Sequence, residues 1–539
     1  MPGRRLTQRG RPVEDLPDDL KPITPEHIHF VAIGGTGMGA LAGMCKKRGI
    51  TVTGSDKALY PPMSSKLEEW GIDVDEGFDE ANITSRELDL VVIGNAVGED
   101  NPEAKAVLKA AMPHMSFPDA LFELALKPKH RIVVTGTHGK TTTTTMIASL
   151  LHHMKRDPSY LIGGIPVEFG DSFHDGTGDD FIVEGDEYDT AFFDKTPKFL
   201  HYHPDVLVIT SVEFDHADIY RDLDHVKEAF ATLVSRMPVD SIIFAATDQP
   251  GVAEVVSDAP CTVVSYGVDR EGMPSEAAYR GSSVKVGPHG TGFQVTMPRS
   301  DGPHIFSVGI RVAGHFNAEN AVAALAIADH LEMPMLESCA ALAKFQGVKR
   351  RMEVVGVARG TIIVDDFAHH PTAVRGSVAA AKERFHGRKI FAVFEPRSNT
   401  SRRALFQDAL TEAFGPADCV VIQRVDKEQP IYSATGEVTE FLNADALVQQ
   451  IHGKGQEAIA LSNADEIVEF LAEDARAGDV VLVMSNGSFG GIFEKLFAAL
   501  GGPDPGGYRD LMLKEERALA RQRQTSAEAY ERRRERSRE

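Results

Sequence analysis

The stretch Ile132–Met146 reads IVVTGTHGKTTTTTM, and its character changes twice along its length. The β-branched run Ile132, Val133, Val134 suits a buried strand that stops at Gly136. Gly139-Lys140-Thr141 then opens a threonine run that passes into Ile147-Ala148-Ser149-Leu150-Leu151, which reads as a helix. Strand, tight glycine turn and helix N-terminus together make an anion site, because backbone N–H groups and the positive end of the helix dipole face one point. Lys140 adds a mobile positive charge, and the Thr141 hydroxyl suits the magnesium that travels with ATP. The strict phosphate-loop pattern asks for a glycine where Val134 stands, so GTHGKT is shorter than the general motif. A turn that merely joins strand to helix needs no Lys-Thr pair. The expected ATP loop is Gly136, Thr137, His138, Gly139, Lys140, Thr141 and Thr142.

Length and composition bound what surrounds this loop. A chain of 539 residues suits about three domains. With 42% hydrophobic and 25% charged residues it is an ordinary globular composition. A net charge of −22 argues against a general nucleic-acid binder and against attachment to an anionic membrane surface. The four cysteines, Cys45, Cys261, Cys339 and Cys419, are widely spaced and form no CxxC pair. That excludes a disulfide framework or a cysteine zinc site and suits a reducing, cytoplasmic setting. The basic residues near the N-terminus precede no apolar segment, and no run of about 18 apolar residues occurs, so neither a signal peptide nor a membrane span is expected.

Residues 1–26, rich in Pro, Arg and Asp, are expected to form a disordered extension. A first domain, 27–128, opens with the strand His29–Ile33, the turn Gly34-Gly35-Thr36-Gly37-Met38-Gly39 and a helix from Ala40. Strands at Thr51–Asp56 and Leu90–Asn95 continue a βαβ series. Gly35, Gly37 and Ala40 fit GxGxxA, with Asp56 about 20 residues on, where a ribose-binding acid belongs. This fragment alone admits a nicotinamide dinucleotide. It equally admits the diphosphate of a nucleotide-linked substrate, and the second phosphate loop favours the latter.

A second domain, 129–349, carries apolar strands at Phe181–Glu184 and Val206–Thr210, each ending in an acidic segment, GDEYD and EFDHAD. Ligands of open parallel sheets sit at the carboxyl ends of strands. Glu184 and His216 are therefore expected to face the crevice of Lys140 and to hold magnesium beside the γ-phosphate. Residues 260–312 read as an antiparallel insert of short strands. Asn317 and Asn320, three apart before an Ala-rich helix, share one helical face; helix capping explains the first, and two amides also suit an adenine. A third α/β domain, 350–500, follows the hinge segment Phe345–Glu353, and an Arg/Glu-rich tail occupies 501–539.

Taken in order, GTHGKTTT, the Glu184 and His216 segments, GHFNAENAVAA, GVKRRME and DDFAHHPT resemble the motifs of the Mur ligases, the ATP-dependent amide-forming enzymes of peptidoglycan assembly. The resemblance covers roughly residues 27–497. It implies an α/β fold of three domains: a Rossmann-like N-terminal domain, a central P-loop ATPase-like domain and a C-terminal Rossmann-like domain. IGGTGMGALA and the segment ending at Asp56 resemble the branch that takes UDP-N-acetylmuramate. Gly185–Lys195, Glu213–Ile219, Asp366–Ala373, Glu395–Thr400 and Met484–Gly491 resemble the member that attaches a salvaged tripeptide, L-alanyl-γ-D-glutamyl-meso-diaminopimelate, rather than free L-alanine.

The same resemblance implies roles for single residues. Magnesium falls to Thr141, Glu184 and His216, with Lys140, His216 and Arg351 as catalytic residues. Arg351 reaches the γ-phosphate only on domain closure. Asp365 is assigned to the ribose and Asn317 and Asn320 to the adenine. Gly35, Thr36, Gly37, Met38, Gly39, Ser55, Asp56 and Asn95 are expected to bind the UDP-substrate, and Arg397, Ser398, Asn399 and Asn486 the peptide, whose carboxylate suits a guanidinium. Two departures from the wider family occur. Phe316 stands where many relatives have histidine, which leaves adenine binding little affected. Phe230–Leu233 offers no lysine where other branches carry a carbamylated one, so no carbamate is assigned.

Overall fold

Runs of apolar, β-branched residues with no polar alternation form strands covered on both faces, and three such sheets organise the chain. The computed structural model describes residues 23–59, 63–428, 431, 433–436 and 438–513. Residues 1–22 of the expected extension and 514–539 of the expected tail lie outside them.

The first sheet is fully parallel: β1 (His27–Val31), β2 (Thr51–Asp56), β3 (Asp73–Glu76), β4 (Leu90–Ile93) and β5 (His114–Ser116), in the order β3-β2-β1-β4-β5. The order reverses beside β1, so the turn after β1 and the end of β4 flank one crevice.

The second sheet has ten strands, β6 (His130–Thr135) to β15 (His304–Ile310). At its centre β6 lies between β9 (Asp180–Gly185) and β10 (Val206–Ile209), all parallel, with Thr135 level with both Gly185 and Ile209. Three strand ends thus open on the same edge. β7 (Ser159–Leu161) and β8 (Phe173–His174) extend one side. On the other, β11 (Ile242–Ala245) and β12 (Thr262–Val268) are followed by β13 (Tyr279–Gly287), β14 (Gly290–Met297) and β15. The last three are antiparallel to one another, as expected, but β13 pairs in parallel with β12, so they continue the central sheet and are no separate insert. Helix Lys140–His153 packs on helix His315–His330, whose alanines allow close approach.

The third sheet is β16 (Glu353–Ala358), β17 (Thr361–Asp366), β18 (Ile390–Phe394), β19 (Cys419–Gln423), β20 (Glu457–Leu461) and β21 (Val480–Met484), ordered β16-β17-β21-β18-β19-β20. Only β16 runs antiparallel.

The chain divides into two compact units. One holds the described residues of Met1–Lys349 with Ile431–Val438, the other those of Arg350–Pro430 and Thr439–Glu539. Within the first unit, Phe117 and Leu121 share a core with Phe173, Phe199 and Phe230, so the first two sheets are joined by apolar packing. The segment Ile431–Val438 is part of that unit, where Ala434 N–H donates to the Ala217 carbonyl (3.0 Å).

Candidate active site

Gly136 and Gly139, at φ 128° and 83°, make the turn after β6. A Cβ on Gly136 would lie 2.1 Å from Thr210 Oγ1 and 2.7 Å from the Ser211 nitrogen. One on Gly139 would lie 2.8 Å from Asn320 Oδ1. The loop is therefore closed tightly on the end of β10 and on the helix that carries the asparagines. Thr137 N–H donates to the Ser211 carbonyl (3.0 Å), His138 N–H donates to Ser211 Oγ (2.9 Å), and Glu213 N–H donates to Thr137 Oγ1 (2.8 Å). Thr142 is half-buried in the first turn of the helix.

The Lys140 ammonium curls back over this loop, donating to the Gly136 carbonyl (2.6 Å) and to Glu187 Oε2 (2.7 Å). The Thr141 hydroxyl donates to Glu184 Oε2 (2.8 Å), whose carboxylate also accepts the Gly163 N–H. His216 Nε2 stands 3.3 Å from Glu187 Oε1, the carboxylate oxygen that Lys140 leaves free. Glu184 and His216 thus fall in the crevice of Lys140, but on different partners. Glu187, which joins Lys140 to His216, is not distinguished by the sequence from Asp186 and Asp189 beside it.

Burial pushes the Glu187 carboxyl up, but Lys140 and His216 outweigh it and hold it down at about 2. Burial disfavours the charged His216 ring, yet Asp215 and Glu187 raise it to about 9. Glu184 is raised by burial and by Asp186. The oxygens of Thr141 and Glu184 beside the helix N-terminus suit a hard dication, and the Glu187 oxygen that faces His216 is a further donor. As a ligand, His216 would first have to release the proton that Glu187 stabilises.

Asn317 and Asn320 are both buried. Helix His315–His330 begins after Gly314, so Asn317 lies inside the first turn and is not its cap; its Nδ2 donates to the Ala313 carbonyl (2.7 Å). Asn320 Oδ1 faces Gly139, as above, which brings the amide pair to the phosphate loop.

At the other nucleotide turn, Gly35 and Thr36 are exposed at the start of helix Thr36–Lys47, Gly37 lies against Phe117, and Met38 and Gly39 are buried. Asp56 Oδ2 accepts the Gly34 N–H (2.8 Å) and so shapes the turn. Asn95 is exposed after β4. Ser55 differs from expectation: it is fully buried and its hydroxyl donates to buried Glu103 (2.5 Å), so its side chain belongs to the interior and does not face a ligand.

In the second unit, Asp365 is buried with Arg350 Nε 3.4 Å away; burial pushes its carboxyl up to about 7 against the Arg350 charge. Arg351 lies over the Phe367 ring (4.7 Å). Its neighbours Arg350 and Met352 both have positive φ, 62° and 52°, and Asp366 accepts the Met352 N–H (2.8 Å). Arg397 is exposed and passes so close to Gly487 that a Cβ there would lie 1.8 Å from Nη1. Ser398 Oγ donates to Ser401 Oγ (2.9 Å), Asn399 is half-buried, and Asn486 Oδ1 is buried without a hydrogen-bond partner. The two loops expected to take the peptide thus meet each other.

Three family descriptions match consecutive parts of the chain: the Mur ligase catalytic domain at residues 27–128, the Mur ligase middle domain at 134–328 and the Mur ligase glutamate ligase domain at 350–487. The chain belongs to the Mur ligase family. Among its relatives, the UDP-N-acetylmuramate–L-alanyl-γ-D-glutamyl-meso-2,6-diaminoheptandioate ligase of Escherichia coli K12 is 37% identical over 474 residues, 88% of this chain and 98% of that one. The UDP-N-acetylmuramate–L-alanine ligase of Burkholderia thailandensis is 34% identical over 478 residues, 87% and 97% of the two chains. The crystal structure of a murein peptide ligase from Psychrobacter arcticus 273-4 superimposes with a TM-score of 0.65 at 33% identity, covering 88% of this chain and 99% of that one. No described helix of this Mur ligase is long and apolar enough to cross a membrane.

Proposed function

We propose that this Mur ligase joins UDP-N-acetylmuramate to the tripeptide L-alanyl-γ-D-glutamyl-meso-diaminopimelate, using ATP, in cytoplasmic recycling of peptidoglycan. The observation that carries the phosphoryl-transfer half is the Lys140 ammonium folded over the glycine turn beside Thr141 and Glu184. The names of relatives in both branches support UDP-N-acetylmuramate as substrate.

An oxygen of the lactyl carboxylate attacks the γ-phosphorus of ATP and ADP leaves, giving an acyl phosphate. The amino group of the peptide's L-alanine attacks the acyl carbon, inorganic phosphate leaves, and a proton is lost from nitrogen. Transfer between two anions requires positive charge around the γ-phosphoryl oxygens. The N–H groups at Gly139–Thr141 and the Lys140 ammonium supply it, and Arg351 is assigned to the same phosphate. Magnesium held by Thr141, Glu184 and His216 would add positive charge there. Asn317 and Asn320 take the adenine and Asp365 the ribose. Exclusion of water protects the acyl phosphate from hydrolysis.

The peptide reading is supported by the 37% identical relative named for the tripeptide, and the Arg397 and Ser485–Gly491 loops that lie against each other offer a guanidinium for the peptide's carboxylate. The 34% identical relative favours free L-alanine as the second reading. Phosphate release with ATP, magnesium and UDP-N-acetylmuramate separates them. Release only with the tripeptide supports this proposal, and release with L-alanine alone overturns it.

A further inference from the structure

Lys198 opens the short 3-10 turn Lys198–His201, and its backbone N–H donates to the Tyr188 carbonyl (3.2 Å). The residue is 8% exposed. Among the described residues no carboxylate lies within ion-pair distance of its ammonium and none accepts a hydrogen bond from it. Nζ sits instead over two aromatic faces, 4.2 Å from the Tyr188 ring centre and 5.6 Å from that of Phe117. Cation–π contact of this kind offsets only part of the loss of water around an ammonium. Asp186, Glu187 and Asp189 act on this charge only from beyond contact distance, so no anion touches the buried ammonium.

The place of this cation in the site says which anion. On one side the Phe117 ring lies 3.1 Å from where a Cβ on Gly37 would stand, in the turn assigned to the UDP diphosphate. On the other the Tyr188 ring centre is 5.3 Å from that of His216, which leads through Glu187 to Lys140. Asp119 and His201 (2.7 Å) tie the helix that carries Phe117 to the turn that carries Lys198. The ammonium is thus fixed between the nucleotide turn and the phosphoryl-transfer loop, the interval that a sugar-borne carboxylate must cross to reach the γ-phosphate.

We infer that Lys198 binds the lactyl carboxylate of the nucleotide sugar and selects for it. This rests on the proposed use of UDP-N-acetylmuramate. With two aromatic rings against it and Asp186, Glu187 and Asp189 acting only at longer range, the ammonium gains a direct charged contact from the incoming carboxylate. Lys198 also draws one negative group toward another, easing the approach of carboxylate to γ-phosphate.

Calorimetric binding of UDP-N-acetylmuramate and of UDP-N-acetylglucosamine, which lacks the lactyl group, tests this on the full chain. Wild-type protein is expected to prefer the former at least tenfold. Lys198→Met is expected to bring the two affinities within about twofold by weakening only UDP-N-acetylmuramate, with unchanged Tm and ATP affinity, and Lys198→Arg to keep most of the preference. Equal weakening of both nucleotides, or a preference that survives Lys198→Met, would overturn the inference. A Lys198→Met protein that does not fold would also count against it, since an unpaired buried ammonium is then structural. Failure of wild-type protein to bind UDP-N-acetylmuramate would refute the proposed function itself.

Discussion

The Lys140 ammonium and the Glu187 carboxylate stand 2.7 Å apart, with side chains only 12% and 3% exposed. Removing one member of such a pair leaves an uncompensated buried charge, worth about 3 kcal/mol or more. A γ-phosphate has the sign of Glu187 and would take over its place on Lys140. Glu187→Ala is therefore expected to destabilise the free protein by about 3 kcal/mol and the ATP-bound protein by much less. Thermal unfolding with and without nucleotide checks this. Equal losses in the two conditions would mean that Lys140 never exchanges Glu187 for phosphate.

His216 gives the free protein a pH dependence of opposite sense to that of Glu187. Raised from 6.5 to about 9, the imidazolium stabilises fully below pH 6.5, and this contribution is lost as pH rises through about 9. Glu187, lowered from 4.5 to about 2, stabilises above pH 4.5 and loses its contribution as pH falls toward 2. The His216 contribution is at most about 3 kcal/mol by this linkage, and screening at a side chain 30% exposed brings it nearer 1. Free-protein Tm is expected to decline between pH 6.5 and 9, and His216→Asn to flatten that slope.

Gly136 and Gly139 should differ as alanines. Gly136→Ala meets Thr210 Oγ1 and the Ser211 backbone, which cannot move without opening the loop from β10. Gly139→Ala meets a side-chain oxygen of Asn320 at 2.8 Å, and otherwise carries mainly the left-handed strain of about 1–2 kcal/mol. Asn320→Ala should partly restore folding to Gly139→Ala and do nothing for Gly136→Ala. Melting temperatures of the singles and doubles decide it.

What the sequence discloses follows the range of the interactions. Ile132–Met146 is legible because strand, turn and helix start are local and the chemistry sits in consecutive residues. Glu187 is not, because GDEYD offers three acids and the choice depends on β9 ending at Gly185 and on where the chain then turns. Lys198 carries no local signal; its meaning comes from Phe117, brought to it by packing between the first two sheets. The strand character of residues 260–312 is local, whereas the parallel pairing of β13 with β12 that joins them to the central sheet is a tertiary choice. The membership of Ile431–Val438 in the first unit is likewise invisible to periodicity.

Ser55 and Asn95 separate architecture from binding in the first domain. Ser55→Ala leaves buried Glu103 without one of its donors, Asn82 Nδ2 (2.6 Å) remaining, and should destabilise by about 1–3 kcal/mol. The KM for UDP-N-acetylmuramate should stay near that of the wild type. Asn95→Ala removes an exposed side chain at a strand end, so Tm should hold while that KM rises. Reversed outcomes would put the Ser55 hydroxyl back among the ligands.

Arg397 and Gly487 should behave as one device. The guanidinium crosses Gly487 where a Cβ would need its space, so Gly487→Ala can be accommodated only by moving Arg397, at little cost because that side chain is exposed and flexible. Arg397→Ala is expected to raise the tripeptide KM about tenfold or more through loss of a charge-assisted contact, with ATP and UDP-N-acetylmuramate KM unchanged. Gly487→Ala should raise the same constant through displacement of the same group. The double variant should then be little worse than Arg397→Ala alone, since the second change has nothing left to displace. Additive losses would mean that the Ser485–Gly491 loop contacts the peptide on its own account. No change from either variant would remove both loops from the peptide site.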